Sequence, residues 1–256
     1  MNEMHFTYGL ASRKGSEREV NSNAASAFVW PDIPHFDGQN VGLFIVADGV
    51  SAAQSGNLAS QLAVQIVAEE IKTLIFQPSN LSISDLLTTA VHKANLQLIA
   101  QAPPDGISLT AALVVGNQLY IAHVGDSRAY YAYGKYLIQL TDDHRFLQRM
   151  IDQGIYTWAQ VEAGEVIMAN VLYRALGQNE NLEVDIVTEH LEDGSCILLT
   201  TNGLSGWKWD YSEQMRLLSV MQNNPPQAAC DDLIERAQNG GAADDITVII
   251  IKMSEQ

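Results

Sequence analysis

The sequence predicts an α+β fold with antiparallel sheets. Strand-like runs open the chain, two helical patterns follow back to back, and strands and then helices return in blocks. Turn signals at Gly116-Asn117 and at Gly134 separate short β-rich runs in the middle of the chain, as hairpins require.

The elements follow in order. Residues 6–12 and 24–30 read as strands, and a loop containing Pro and Gly separates them from a third apolar run at 41–48. From 56 to 76, Leu58, Leu62, Ile66, Val67, Ile71, Leu74 and Ile75 recur at helical spacing, with Pro78 just past the end. Ser82 with Asp85 three positions on opens a second helix carrying Leu86, Leu87, Ala90, Val91, Ala94 and Leu98 on one side. β signals return from Thr110 to Leu140 as meander-like hairpins. Residues 143–165 are helical in pattern but polar, and the segment near 145–170 reads as a small flap outside the core. Strands at 183–189 and 195–201, two helices within 212–238 and a buried strand at 246–251 complete the chain, without internal repeat or low-complexity tract.

With 256 residues and 47% hydrophobic content, the chain can bury one sizeable core, so a single domain over 1–256 is expected. Its apolar runs are too short to span a membrane, and the N-terminus lacks the basic and apolar regions of a signal peptide, so a cytoplasmic protein is expected. Cys196 and Cys230 show neither zinc nor disulfide spacing and read as buried thiols. A formal charge of −16 disfavours nucleic acid and anionic membrane as partners. A phosphate-bearing substrate would need a metal ion and a well-placed arginine; the acidic surface also serves solubility.

Short acidic loops leave three of the apolar runs: Asp48-Gly49 after 41–47, Gly125-Asp126 after 119–124, and Asp244-Asp245 before 246–251. Buried strands seldom end in unpaired carboxylates, so aspartates gathered from distant parts of one domain suggest a hard-cation site. Asn202 and Asn23 occupy the same kind of setting with amides.

The order of motifs resembles the metal-dependent protein phosphatases of the protein phosphatase 2C type. Arg18 to Asn21, Ala47-Asp48-Gly49, Val124 to Arg128, Leu140 to His144, Asn170 to Gly177, Leu198 to Leu204 and Asp244 to Thr247 recur in family order across nearly the whole chain. The resemblance implies a four-layer α-β-β-α sandwich of two antiparallel sheets flanked by helices. It implies hydrolysis of phosphoserine and phosphothreonine in proteins, counteracting a serine/threonine kinase, by a water held between two Mn or Mg ions. It makes Asp48 the bridging ligand, the Gly49 carbonyl a second contact, Asp244 a late ligand, and Asp126 a carboxylate of a third, weaker ion. Arg18 would grip the substrate phosphate through its guanidinium fork.

The departures are as specific as the matches. Asn23 and Asn202 stand where the family places metal-ligand aspartates, Ser22 replaces an acid or amide, Gly206 replaces another aspartate, and Val50, Ser51 and Ala52 replace the usual glycine pair. An amide keeps an oxygen but removes a charge, so ion affinity should fall. The isosteric amides would suit a deliberate substrate trap; Ser22, Ser51 and Gly206 would suit natural drift. The expected activity is therefore a phosphatase with a weakened metal site, and the competing expectation is an impaired phosphatase-like module that binds a phosphoprotein or regulatory partner. A nuclease using the same ions is disfavoured by the acidic surface. Other residues have plainer readings. His144 suits capping or packing of the flap better than acid catalysis, His123 suits a packed or hydrogen-bonded position better than a ligand, Asp143 suits a helix N-cap, and Thr110 and Thr247 suit strand positions that could also orient ligands.

Overall fold

A computed structural model describes residues 4–49, 54–77, 81–101, 106–163, 171–205 and 211–255. One sheet is built from β1 (Met4–Arg13), β10 (Ile246–Glu255), β9 (Cys196–Thr200), β6 (Arg128–Tyr133) and β7 (Tyr136–Gln139), in that order. The other holds β2 (Asn23–Ile33), β3 (Gln39–Gly49), β4 (Ile107–Val115), β5 (Gln118–Val124) and β8 (Asp185–His190). Every pairing is antiparallel.

The alternation of side chains along β3 sorts the layers. Phe44 and Val46 join Ala112, Val114, Ile197, Leu199, Ile249 and Ile251 between the two sheets, while Leu43, Ile45 and Ala47 face α1 (Gln54–Phe76) and α2 (Ile83–Ala100). Val248 and Ile250 on β10 face the other way, onto α6 (Tyr211–Asn223) and α7 (Pro226–Asn239). The result is the expected α-β-β-α sandwich, with strands buried on both faces reading as continuous apolar runs. Asp48 has the parity of Phe44 and Val46, so it lies on the inter-sheet side where that core ends.

Ser82 caps α2 as anticipated: its hydroxyl takes the Asp85 N–H at 3.1 Å and the Asp85 carboxylate reaches back to the Ser82 N–H at 3.3 Å. The long α1 departs from expectation at Leu58, which is 61% exposed. At about 100° per residue, Leu58 lies about 180° around the helix from the buried Val67, so it cannot share the core face. Pro78 lies outside the described residues.

The meander expected over 110–140 is interrupted. β4–β5 is a hairpin of one sheet and β6–β7 a hairpin of the other, and the chain crosses between them in the three residues Gly125, Asp126 and Ser127. Gly125 is required there: its φ is +110° and a Cβ would stand 2.4 Å from the Ser108 hydroxyl. The flap segment holds two short helices, α3 (Phe146–Asp152) and α4 (Trp158–Glu162), the latter capped by Thr157 and Gln160; residues 164–170 lie outside the described set. The remaining short helix, α5 (Asn202–Ser205), follows β9. Among the described residues no helix is long and apolar enough to cross a membrane.

Candidate functional site

The acidic loops meet at one end of the sandwich. Asn23 opens β2 and pairs directly with Asp48 near the end of β3, so the amide and the carboxylate proposed as ligands are cross-strand neighbours. Asp48 is buried, and its carboxyl is raised well above the ordinary carboxylate range, first by burial and then by repulsion from Asp126, Asp245 and Asp244, with Arg18 opposing. Four carboxylates contributed by three distant segments therefore act on one point.

Asn23 is held by its nitrogen. Its Nδ2 donates to Thr201 Oγ1 at 2.9 Å, and Thr201 in turn accepts the Thr247 N–H at 3.1 Å, so the amide is fixed to the far sheet. Its Oδ1 is buried with no hydrogen-bond partner. An orphaned buried amide oxygen is costly unless something outside the protein occupies it. Asn202 begins α5, and Gly203 beside it passes so near β10 that a Cβ would lie 2.1 Å from the Asp245 carbonyl oxygen. Val50, Ser51, Ala52 and Gly206 lie outside the described residues.

Two expected ligands already hold guanidinium groups. Arg18 Nη2 donates to Asp244 Oδ1 at 2.6 Å, with the two side chains 28% and 52% exposed, so this pair is weak and its arginine can be shared with another anion. Arg145 Nε and Nη2 reach Asp126 Oδ2 at 2.9 and 2.8 Å in a buried setting. Among the described residues no three His, Cys, Asp or Glu side chains form a group that could hold a metal ion by themselves.

Residues that sequence reasoning passed over complete the frame. Asp245 accepts from the N–H of Gly15 at 2.8 Å and from the N–H and hydroxyl of Ser22, both at 2.7 Å, and so pins the loop carrying Arg18 against β10. The only signal for it was its place as the second acid of the Asp244-Asp245 pair. Ser108 Oγ accepts the N–H groups of Asp126 and Ser127 at 2.9 and 2.7 Å and fixes the crossing turn. Gly49 N–H donates to Ser22 O at 3.2 Å, tying the two proposed ligand strands together beyond their register.

Asp143 is not a helix cap. The N-cap of α3 is Arg145, without a side-chain cap bond, and Asp143 instead receives both arms of the Arg128 fork at 2.7 Å each. A buried carboxylate gains more from a bidentate guanidinium than from a cap at a helix that starts later. His144 serves packing: Gly125 N–H donates to its Nδ1 at 3.0 Å, so its proton sits on Nε2 and is donated to Asp185 Oδ2 at 3.0 Å. Arg174 holds Asp185 in turn through Oδ1 at 2.5 Å. His123 Nε2 donates to the Asp142 carbonyl at 3.0 Å, and Nδ1 lies 2.9 Å from the Thr110 hydroxyl. Both imidazoles have both nitrogens engaged, which leaves neither as a ready acid.

Burial, followed by repulsion from His144, drives the His123 pKa from 6.5 down to about 4. A depressed folded-state value means the native state binds fewer protons than the unfolded state. Its stability is complete above pH 6.5 and is lost as pH falls towards 4. The shift corresponds to about 3 kcal/mol at most. Denaturant unfolding at pH 7 and pH 4.5 checks this: His123→Gln should have a visibly shallower loss of stability on acidification than the parent chain, and equal losses would contradict the assignment.

A model of the Protein phosphatase 2C family matches residues 12–149, more than half of the chain, and a model of stage II sporulation protein E matches 140–254. The serine/threonine phosphatase stp of Listeria monocytogenes is 28% identical over 235 residues, covering 86% of this chain and 91% of that protein. The crystal structure of the Mycobacterium tuberculosis serine/threonine phosphatase PstP/Ppp superimposes with a TM-score of 0.77 at 27% identity, covering 96% of this chain and 98% of the other. The catalytic domain of PstP in complex with two manganese ions superimposes with a TM-score of 0.78 at 26% identity, covering 98% and 99%.

Proposed function

Since the chain belongs to the protein phosphatase 2C family, we propose that it is a serine/threonine protein phosphatase of phosphoproteins with a metal site weaker than its relatives'. The observation that carries this is the Asp48–Asn23 pair, with the charges of Asp126, Asp244 and Asp245 converging on it. A cation fits there on two counts: the carboxylates repel one another without one, and the orphaned Asn23 Oδ1 offers it a hard oxygen. Asp48, the Gly49 carbonyl, Asn23, Asp244 and Asn202 would hold Mn or Mg. Such an ion would supply Lewis acidity toward phosphoryl oxygens and would lower the pKa of a water enough to furnish a hydroxide nucleophile near neutral pH.

The protein's own residues supply the rest. Asp245 positions the loop of Arg18 through three hydrogen bonds, and Arg18 spends only one nitrogen on Asp244. The remainder of its fork is free to take two phosphoryl oxygens and to offset the charge that develops on them. With His123 and His144 committed on both nitrogens, neither is available to protonate the departing serine or threonine alkoxide. We extend the proposal to a single domain over 1–256 acting in the cytoplasm against a serine/threonine kinase. It does not include nucleic acid or membrane partners.

A second reading has its own support. Guanidinium groups on Asp126 and Asp244, and amides at 23 and 202, suit a module that binds a phosphoprotein without turning it over well. Phosphopeptide binding and hydrolysis, measured with and without Mn, separate the two. Arg18→Ala should weaken phosphopeptide affinity by about tenfold or more, the worth of a charge-assisted fork, and leave the unphosphorylated peptide unaffected. Equal binding of both peptides in parent and variant would remove the phosphate site altogether.

A further inference from the structure

The Asp126 carboxylate is only 6% exposed, and a buried carboxylate needs a cation. Arg145 provides it: its Nε–H donates to Oδ2 at 2.9 Å, and its Nη2 lies 2.8 Å from the same oxygen. Arg145 is also the N-cap residue of α3, so its guanidinium fastens the first turn of the flap to the turn that crosses between the sheets. The neighbouring backbone is tied on two sides: His144 N–H bonds to Gly125 O in the crossing turn at 2.7 Å, and Phe146 N–H to Val171 O at 2.9 Å.

Arg145 has poor alternatives. Asp143 Oδ2 stands 3.7 Å away, beyond hydrogen-bond reach, and its carboxylate already carries the Arg128 fork. A divalent ion taking the Asp126 oxygens would displace the Arg145 Nε–H and face the guanidinium charge across one carboxylate. Burial makes that repulsion unscreened. Relief requires the Arg145 guanidinium to leave, which removes the side-chain tie between α3 and the crossing turn.

We infer that Arg145 is a built-in counter-ion of Asp126 that docks the flap, and that a divalent cation and Arg145 compete for this carboxylate. Loading of an ion at Asp126 then releases the Arg145 tie between α3 and the crossing turn and loosens the start of that helix. The inference rests on the phosphatase reading only for the presence of a divalent ion at the neighbouring site. Arg145 is a positioning residue in this account, acting through Asp126 and the flap.

Two readouts test it on the full chain. The first counts bound Mn by the electron paramagnetic resonance signal of free Mn during titration of the parent, Arg145→Ala, Arg145→Lys and Arg145→Ala with Asp126→Asn. The second follows hydrogen exchange of Phe146–Asp152, with β10 as internal reference. Arg145→Ala should gain one Mn-binding event per chain, about tenfold or more tighter than any Asp126-dependent event in the parent. Arg145→Lys should lie between the two, and Asp126→Asn should abolish the gain. In the parent, Mn at concentrations that fill Asp126 should speed exchange of α3 but not of β10. Asp126→Asn alone should do the same without metal, an arm that leaves Arg145 untouched.

An unchanged Mn count in Arg145→Ala overturns the inference, as does α3 exchange indifferent to Asp126→Asn. The two readings fail separately. Absent turnover with the predicted Mn counts would end the phosphatase assignment alone, and normal turnover with Arg145-independent Mn counts would end this one alone.

Discussion

Asp48→Ala is expected to abolish Mn binding and phosphopeptide hydrolysis while leaving the protein folded. Asp48 is the group on which the field of the other acids converges, and no neighbour can take its place: Asp244 and Asp126 are each paired with an arginine, and Asn23 offers an uncharged oxygen. Changes to the outer partners of a metal ligand already cost about 10–100-fold in affinity or activity, so loss of the central ligand should exceed about 100-fold in both. The fold should survive because the raised Asp48 pKa makes its ionised form a cost to the metal-free native state. That cost is absent below the unfolded value of 3.8 and fully incurred above the folded one, so at pH 7 the variant should be at least as stable as the parent without metal. Thermal unfolding with and without Mn reads both effects. A variant that kept its Mn-dependent rise in Tm would show that the ion binds elsewhere.

The second large effect is a gain. Restoring carboxylates by Asn23→Asp and Asn202→Asp should tighten Mn and raise turnover, by about tenfold for each charge returned to the site. The same change should make the metal-free protein less stable, because it adds like charge beside a carboxylate already repelled by three others. Mn should then raise the Tm of the double variant more than that of the parent, as ligand binding to the native state alone requires.

Much of the fold was legible because it depends on local pattern. The Ser82 and Asp85 capping box lies within four consecutive residues, and the core faces of both long helices follow from periodicity, with Leu58 the exception that strict angular bookkeeping would have caught. Buried strands announced themselves as apolar runs, but which sheet each joins is decided by the three-residue crossing at Gly125, and nothing in a β-rich run of hairpins marks that step. The candidate site divides in the same way. Motif strings single out Asp48, Asp126 and Asp244 as candidates, whereas the partners of those groups depend on topology. Arg145 reaches Asp126 across 19 residues and Asp245 reaches Gly15 across 230, separations over which sequence carries no pairing signal. An acid before a helix suits a cap, but the sheet brings Arg128 within reach of Asp143 and the ion pair forms instead.

That the metal site is present but weakened is tested most directly by calorimetric titration of the unmodified chain with Mn, beside the Asn23→Asp, Asn202→Asp double variant. Weak Mn binding centred on Asp48 in the parent, tightening and gaining a second ion in the double variant, is the result expected. Two ions bound at low micromolar Mn by the unmodified chain would contradict it.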